Sequence, residues 1–344
     1  MNEKETRLSE FCRARGVEGV ILRRRSNIAW LTDGADTHID LSSRLAFGTV
    51  VWTPAKKTVY ADVIEAPRLR EEEFGSDWEF RDWPWVEDEP AIAGRFATDW
   101  PTDEIAPLRY SLTMFELQKT RALGAETAQI MCNVMKHFSQ GSTEHQLAGQ
   151  VSGKLREEGI YTPVMLVASD NRISQFRHPI PTGKQIEQVV LAAVCAERDG
   201  LVVSMTRLVH FGKVAPELKA KHEAVCRVDA AYHAATNPGT RWCDALAAGL
   251  KVYKETGFEN EWQKHHQGGP MGYELREFKA TPTENRVVRT NQLAGWNPSI
   301  TGTKSEDTIV SGGEVLTMCE DWPMVTVGGA GGVAAVLRPD ILEK

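Results

Sequence analysis

Several short runs in this chain carry side chains that can do chemistry. The imidazoles are His178, in Phe176-Arg177-His178-Pro179, and the adjacent His265 and His266, which lead into Gln267-Gly268-Gly269-Pro270-Met271-Gly272. The carboxylate is Glu306, in Lys304-Ser305-Glu306-Asp307-Thr308. Imidazole is the side chain whose ordinary pKa lets it give and take a proton in one cycle near neutrality. A carboxylate enclosed in a pocket is expected to have a raised pKa, and to orient a cationic nitrogen or share a proton with a histidine. The guanidinium groups of Arg276 and Arg207 suit a substrate carboxylate through paired N–H donors. Gln267 and Asn297 are neutral groups able to read an amide, urea or carboxylate. Each residue also has a structural reading: a hydrogen-bonded histidine beside a proline turn for His178, a partner of Lys304 or Arg207 for Glu306, and an ion pair with Glu274 or Glu277 for Arg276. Neighbouring histidines on a strand point to opposite faces, so one of His265 and His266 is expected to face a cavity.

The elements that must position these groups are legible in part. The spacing predicts a helix over Leu8–Arg15, strands at Val20–Leu22, Leu45–Trp52 and Thr58–Ala61, and a charged helix over Glu65–Phe74. The segment Trp78–Trp100 holds four of the ten tryptophans and reads as an extended connection or a subunit contact. The boundary is expected within Pro101–Pro107. Ser111 reads as the N-cap of a long helix, and Gly141-Ser142-Thr143-Glu144 as the start of another that ends at Gly159. Thr162–Ala168 reads as a buried strand. Gln188–Cys195 and Leu201–Leu208 flank Asp199-Gly200, a strong hairpin signal. Helices are expected at Pro216–Asn237 and Cys243–Thr256, and strands at Gln292–Trp296, Thr308–Val310 and Val315–Cys319. Helices followed by antiparallel strands indicate an α+β fold.

The chain has 344 residues, 42% of them hydrophobic and 25% charged, enough for two domains with their own cores. A net charge of -7 without a basic run excludes a nucleic-acid or anionic-membrane partner. No apolar stretch reaches the length of a membrane span, and the polar start shows no signal core. These features, with six scattered cysteines and no CxxC pair, lead to the expectation of a cytoplasmic protein with inert thiols. The run Gly328-Gly329-Ala330-Gly331-Gly332 lacks the lysine and hydroxyl residue of a nucleotide loop and reads as a flexible turn.

From Ser111 onward the motifs resemble the pita-bread family of methionine aminopeptidase, aminopeptidase P, prolidase and creatinase. Asn27-Ile28-Ala29-Trp30-Leu31-Thr32-Asp33-Gly34 is similar to a segment of the smaller N-terminal domain in the creatinase and prolidase branch. The resemblance implies an α+β pita-bread catalytic domain over 111–344, preceded by a smaller α/β creatinase-type domain over 1–110. The peptidases hold two metal ions with five ligands. Here the two aspartate positions are Ala193 and Ser204, eleven apart as in the family, followed by Thr206-Arg207. The histidine position is Gly269, and the E-P-G motif reads Asn297-Pro298-Ser299. Glu306 keeps the last ligand. A later family histidine that handles the reacting carbonyl maps to Arg276. One carboxylate does not hold two divalent ions, so no cofactor is expected; a divalent metal such as manganese is the alternative. Loss of the imidazole at Gly269 is expected to open space for a bulkier substrate.

In metal-free creatinase the histidine matching His178 is the acid/base residue. The resemblance thus implies a metal-independent C–N hydrolase of the creatinase or ectoine-hydrolase type, acting on a small amidine, guanidino, urea or amide substrate. His178 and Glu306 would be catalytic, and Arg276, Gln267, Asn297, His266 and Arg207 would bind substrate. The alternatives are a Xaa-Pro-type peptidase with an altered metal site, a lyase, and a non-catalytic peptide-binding relative. A homodimer is implied, in which Asp36, His38 or Arg44 reaches a neighbour's pocket.

Overall fold

The structure, a computed structural model, describes residues 2–328 and 335–344. The chain divides into two compact units, Met1–Thr113 with Asp199–Leu201, and Met114–Arg198 with Val202–Lys344. Apart from Gly328, the glycine run 328–332 lies outside the described residues.

The first unit begins with α1 (Glu3–Arg15), opened by an Asn2–Glu5 capping box and closed by left-handed Gly16. There follow β1 (Gly19–Arg24), α2 (Arg25–Thr32), β2 (Leu45–Thr53), β3 (Lys56–Asp62), α3 (Ala66–Arg68), β4 (Glu79–Trp83) and β5 (Phe96–Thr98), with the strands ordered β4-β3-β2-β1-β5. The expected helix over Glu65–Phe74 is a single α turn that widens into a π turn at Leu69–Glu73. The tryptophan-rich segment supplies both edge strands of the sheet, and Trp85 stays exposed. His38 Nδ1 is bonded to the Asp36 carboxylate, and the Arg44 carbonyl accepts from Arg25 N.

The second unit opens with α4 (Met114–His137). Ser111 lies three residues outside this helix and does not cap it; its carbonyl accepts from the Arg7 guanidinium. Next are α5 (Glu144–Glu157), β6 (Tyr161–Ser169), α6 (Asn171–Gln175), β7 (Val189–Arg198), β8 (Leu201–His210), α7 (Pro216–Ala235) and α8 (Trp242–Glu255). The remainder is short strands: β9 (Gly268–Met271), β10 (Leu293–Trp296), β11 (Ser299–Ile300), β12 (Thr303–Lys304), β13 (Asp307–Val310), β14 (Glu314–Val315), β15 (Met324–Val327), β16 (Val336–Pro339) and β17 (Leu342–Glu343). Only the first residue of the strand expected over Val315–Cys319 is in a strand.

Local chemistry accounts for the main elements. Thr143 and Gln146 form a capping box at the start of α5, and Leu147, Val151 and Leu155, four apart, are fully buried. Asp199 and Gly200 both take positive φ, 56° and 75°, as a two-residue I′ hairpin between β7 and β8 requires.

Two four-stranded sheets result, β17-β8-β7-β6 and β14-β13-β10-β9. Strand β8 is stitched to the second sheet. Ser204 N donates to Thr308 Oγ1 (2.7 Å), that hydroxyl donates back to Ser204 O (2.9 Å), and Thr206 N donates to Glu306 O (3.1 Å). Helices α7 and α8 pack on this region through Tyr232, Trp242 and Leu246, with Tyr232 stacked on Trp296 at 4.3 Å between ring centroids.

A buried ionic network fixes the backbone on either side of Glu306. Arg338 bonds Asp229 and Asp307 (2.7 Å to the latter), Arg207 bonds Asp307 (2.9 Å) and Thr317 O (2.7 Å), and Ser305 Oγ donates to Asp229 (2.7 Å). Burial alone would raise the Asp229 pKa; Arg338, His233 and Ser305 together outweigh it and hold the carboxyl well below the usual range. Among the described residues, no helix is long and apolar enough to cross a membrane.

Candidate active site

Three histidines converge in the second unit. His178 Nε2 and His265 Nε2 lie 2.9 Å apart. The His265 and His266 rings stack at 4.4 Å, and His178 lies 4.7 Å and 5.9 Å from them, centroid to centroid. The two rings stack side by side instead of pointing to opposite faces, while of the pair His265 lines the cavity described below, as expected for one of them. They precede β9 and follow a 3-10 turn over Glu261–Lys264, so strand alternation does not govern them.

The segment carrying His178 is anchored at both ends by one buried carboxylate, Glu144. It accepts from Ser169 N (2.8 Å), Thr182 N (3.0 Å), both hydroxyls and the Arg172 guanidinium. Burial would raise the Glu144 pKa; these donors, Arg172 foremost, bring it below the usual value. Arg177 ties the same segment to Glu261 (3.1 Å) and Thr301 (2.8 Å). Gln267 is 2% exposed and saturated. Its Oε1 accepts from Tyr253 (2.9 Å) and Tyr232 (3.3 Å), and its Nε2 donates to the carbonyls of His265 (2.7 Å) and Trp262 (3.1 Å). It orients the histidine pair and has no group left for substrate.

Glu306 is 5% exposed and accepts from Lys304 Nζ and Thr206 Oγ1, each at 2.6 Å. Burial acts to raise its pKa, but the Lys304 ammonium, helped by Thr206, holds it below the usual carboxylate value. The expected raised pKa is therefore corrected: Glu306 is paired with a cation of the protein's own. Lys304 is the residue that sequence reasoning undervalued. An extended chain puts residues i and i+2 on one face, and that spacing was the available signal.

The Arg276 guanidinium donates to the carbonyls of Gly269 (2.7 Å) and Gly295 (2.6 Å), bridging β9 and β10. Arg207 is 1% exposed and committed to Asp307 and Thr317, so its assignment to substrate binding is also corrected. Asn297 is nearly buried, and its Oδ1 has no partner among the described residues. No space opens at Gly269. A Cβ there would meet Phe278 O at 2.6 Å and Ala280 N at 2.8 Å, because the 278–280 backbone runs against it.

Burial lowers the pKa of all three histidines, to about 2 for His265 and about 4 for His266. Lys304 adds to this at each ring, and Arg276, Arg177 or Lys279 at one or two; Glu306 opposes at His178. The rings are thus neutral at physiological pH in a cationic setting. Beside them is a narrow cavity walled by Leu166, Ala168, Leu191 and Ala193, with His265, Ser299 and Lys304 at its polar side. The half-buried Cys195 has its thiol pushed up to about 12 by desolvation and then by Glu306, which keeps it protonated.

The profile of metallopeptidase family M24 matches residues 118–327. The chain belongs to this family. Among solved structures, it is similar over its whole length to other M24-like folds. The Xaa-Pro dipeptidase from Bacillus anthracis gives a TM-score of 0.76 at 16% identity, covering 99% of each chain. The prolidase from Pyrococcus horikoshii gives 0.76 at 16%, covering 93% of this chain and 99% of that one. The X-Pro aminopeptidase from Thermotoga maritima gives 0.75 at 15%, covering 100% of both. No curated protein matches the chain in sequence. At these identities the likeness is one of fold, and the pita-bread α+β architecture expected from the motifs is the one observed.

The residues that the motifs match to the M24 ligands do not fit a pair of divalent ions. Ala193 is apolar, Ser204 Oγ rests on Met271 Sδ (3.8 Å), Gly269 is blocked, and Glu306 is neutralised by Lys304. Arg276 adds a second fixed cation beside Ser204 and Glu306. Divalent ions require several anionic or imidazole donors converging on each cation.

Proposed function

We propose that this M24 chain hydrolyses a C–N bond of a small substrate with protein-borne cations in place of paired metal ions, and with His178 as the proton carrier. The observation that carries this reading is the Lys304–Glu306 pair at 2.6 Å. It sets a fixed ammonium at the surviving ligand position, close enough to His178 to lower its pKa.

The charge of the site favours a neutral or anionic amide or urea over an amidinium or guanidinium. Among the described residues, Glu306 is the acid that acts on His178 against Lys304 and Lys279, and Lys304 already occupies it. Neutral His178, held by His265, accepts a proton from water as the water oxygen bonds to the carbonyl carbon. The same proton passes to the departing nitrogen as the C–N bond breaks. Lys304 would stabilise the developing oxyanion, with Glu306 holding the ammonium in place. Positioning and proton transfer supply most of the acceleration.

The test is hydrolysis by chelator-treated protein of a panel of N-acyl amino acids, ureido acids and Xaa-Pro dipeptides. Turnover of an amide or urea without added metal, abolished by His178→Ala, is the expected result. Turnover confined to Xaa-Pro dipeptides and dependent on manganese or cobalt would establish the peptidase reading. A product without solvent oxygen in heavy-oxygen water would establish a lyase. Ligand binding untouched by His178→Ala and Glu306→Gln would establish a non-catalytic role.

A further inference from the structure

We propose that His178, His265 and His266 form a three-imidazole site for one late first-row divalent ion, with Zn2+ as the reference ligand, separate from the five M24 ligand positions. One nitrogen of each ring lies within 4.8 Å of the others. A tetrahedral ion with metal–nitrogen bonds of about 2.0–2.1 Å needs its donors roughly 3.3 Å apart. The 2.9 Å His178–His265 contact therefore opens by a few tenths of an ångström, and the widest separation closes by about 1.5 Å, within the reach of ring rotations.

A second observation points to a ligand here. Nδ1 of His266 is buried and has no hydrogen-bond partner among the described residues; Nδ1 of His265 is also unpartnered, but it lies on the side of that ring away from His178. Buried polar atoms left in this state call for a ligand, an ion or a functional role. All three donors are imidazoles, which suit zinc, copper and nickel and not calcium or magnesium. Neutral rings need lose no proton to bind.

The surrounding charges define the rest of the coordination. Lys304 and Lys279 disfavour a bare dication but favour an anion bound to it, so hydroxide, chloride or a carboxylate takes the fourth position. Because the ion would consume the His178 lone pair, its binding excludes proton transfer by that ring. This last consequence rests on the hydrolase reading above; the site itself does not.

The test is titration of the full-length, chelator-treated protein with Zn2+ by calorimetry and with Co2+ by visible absorption. X-ray absorption of the Zn2+-loaded wild type supplements it and requires no variant. One ion per chain, strong tetrahedral Co2+ bands and about three imidazole nitrogens around zinc are expected. His266→Asn should weaken binding by more than the 10–100-fold typical of losing an outer-shell partner, and Glu306→Gln should leave one ion bound. No saturable binding, two ions per chain, or binding lost with Glu306→Gln but kept with His266→Asn would overturn the proposal. If the panel above shows no hydrolysis, these readouts still decide the site. If zinc does not bind, hydrolysis by the metal-free protein remains open to measurement.

Discussion

Lys304 Nζ and Glu306 Oε2 meet at 2.6 Å in a nearly buried ion pair. The pair gives the carboxylate that the motifs match to the last M24 ligand a covalently tethered cation of its own. Removing one partner leaves the other buried and uncompensated, at a cost of roughly 3–5 kcal/mol, whereas replacing both with apolar groups is often neutral. Lys304→Met should therefore lower the urea midpoint sharply, and Lys304→Met combined with Glu306→Leu should recover much of the loss. Both variants should lack hydrolytic activity. A single variant as stable as wild type would show that the pair is not closed to water.

As a residue His178 is exposed, although its ring is partly desolvated against His265 and His266. His178→Ala should lower kcat by about 10²–10⁴-fold, the range for a lost general acid–base group. Its unfolding midpoint should barely move. A midpoint that falls together with activity would identify the ring as a packing residue.

Glu144 holds both ends of the segment that presents His178. Its folded pKa lies below the ordinary value of 4.5. Its contribution to stability is therefore complete above about pH 4.5 and is lost as the pH falls through the lowered folded value. Glu144→Gln should accelerate hydrogen exchange at the Ser169 and Thr182 amides, lower kcat with little change in KM, and flatten stability loss on the acid side. Exchange at these amides unchanged from wild type would remove Glu144 from any positioning role.

The long elements were legible because their chemistry is local. The Thr143–Gln146 capping box, Pro216 at the start of α7 and the Asp199-Gly200 turn each act within a few residues. The α+β class followed from the order of those elements. The site was legible only as a set of names. His265 and His266 were assigned strand geometry, but Gln267, gripped by two tyrosines from α7 and α8, turns both rings to one side. Lys304 faces Glu306 because β11 and β12 pair Ser299 with Lys304 and Ile300 with Thr303 across Thr301-Gly302. Arg207 was mistaken for a ligand-binding group because its partners, Asp307 and Thr317, lie 100 and 110 residues away. Such long-range pairings are settled by packing, which residue spacing does not encode.

The backbone at Gly269 has adapted to the absence of a side chain. Its φ is 146°, and residues 278–280 close over it, with Ala280 N donating to Gly268 O at 2.9 Å. Gly269→His, which restores the family's residue type, should therefore not restore a metal centre. A Cβ placed 2.6–2.8 Å from two backbone atoms forces the strand or the 278–280 segment to move. Gly269→Ala carries the same clash without any ligand chemistry and should destabilise the fold by at least about 1–3 kcal/mol. Thermal unfolding of both variants, with manganese titrated in, checks the point. Stable Gly269→His protein would show that the 278–280 backbone does not bar a side chain at this position.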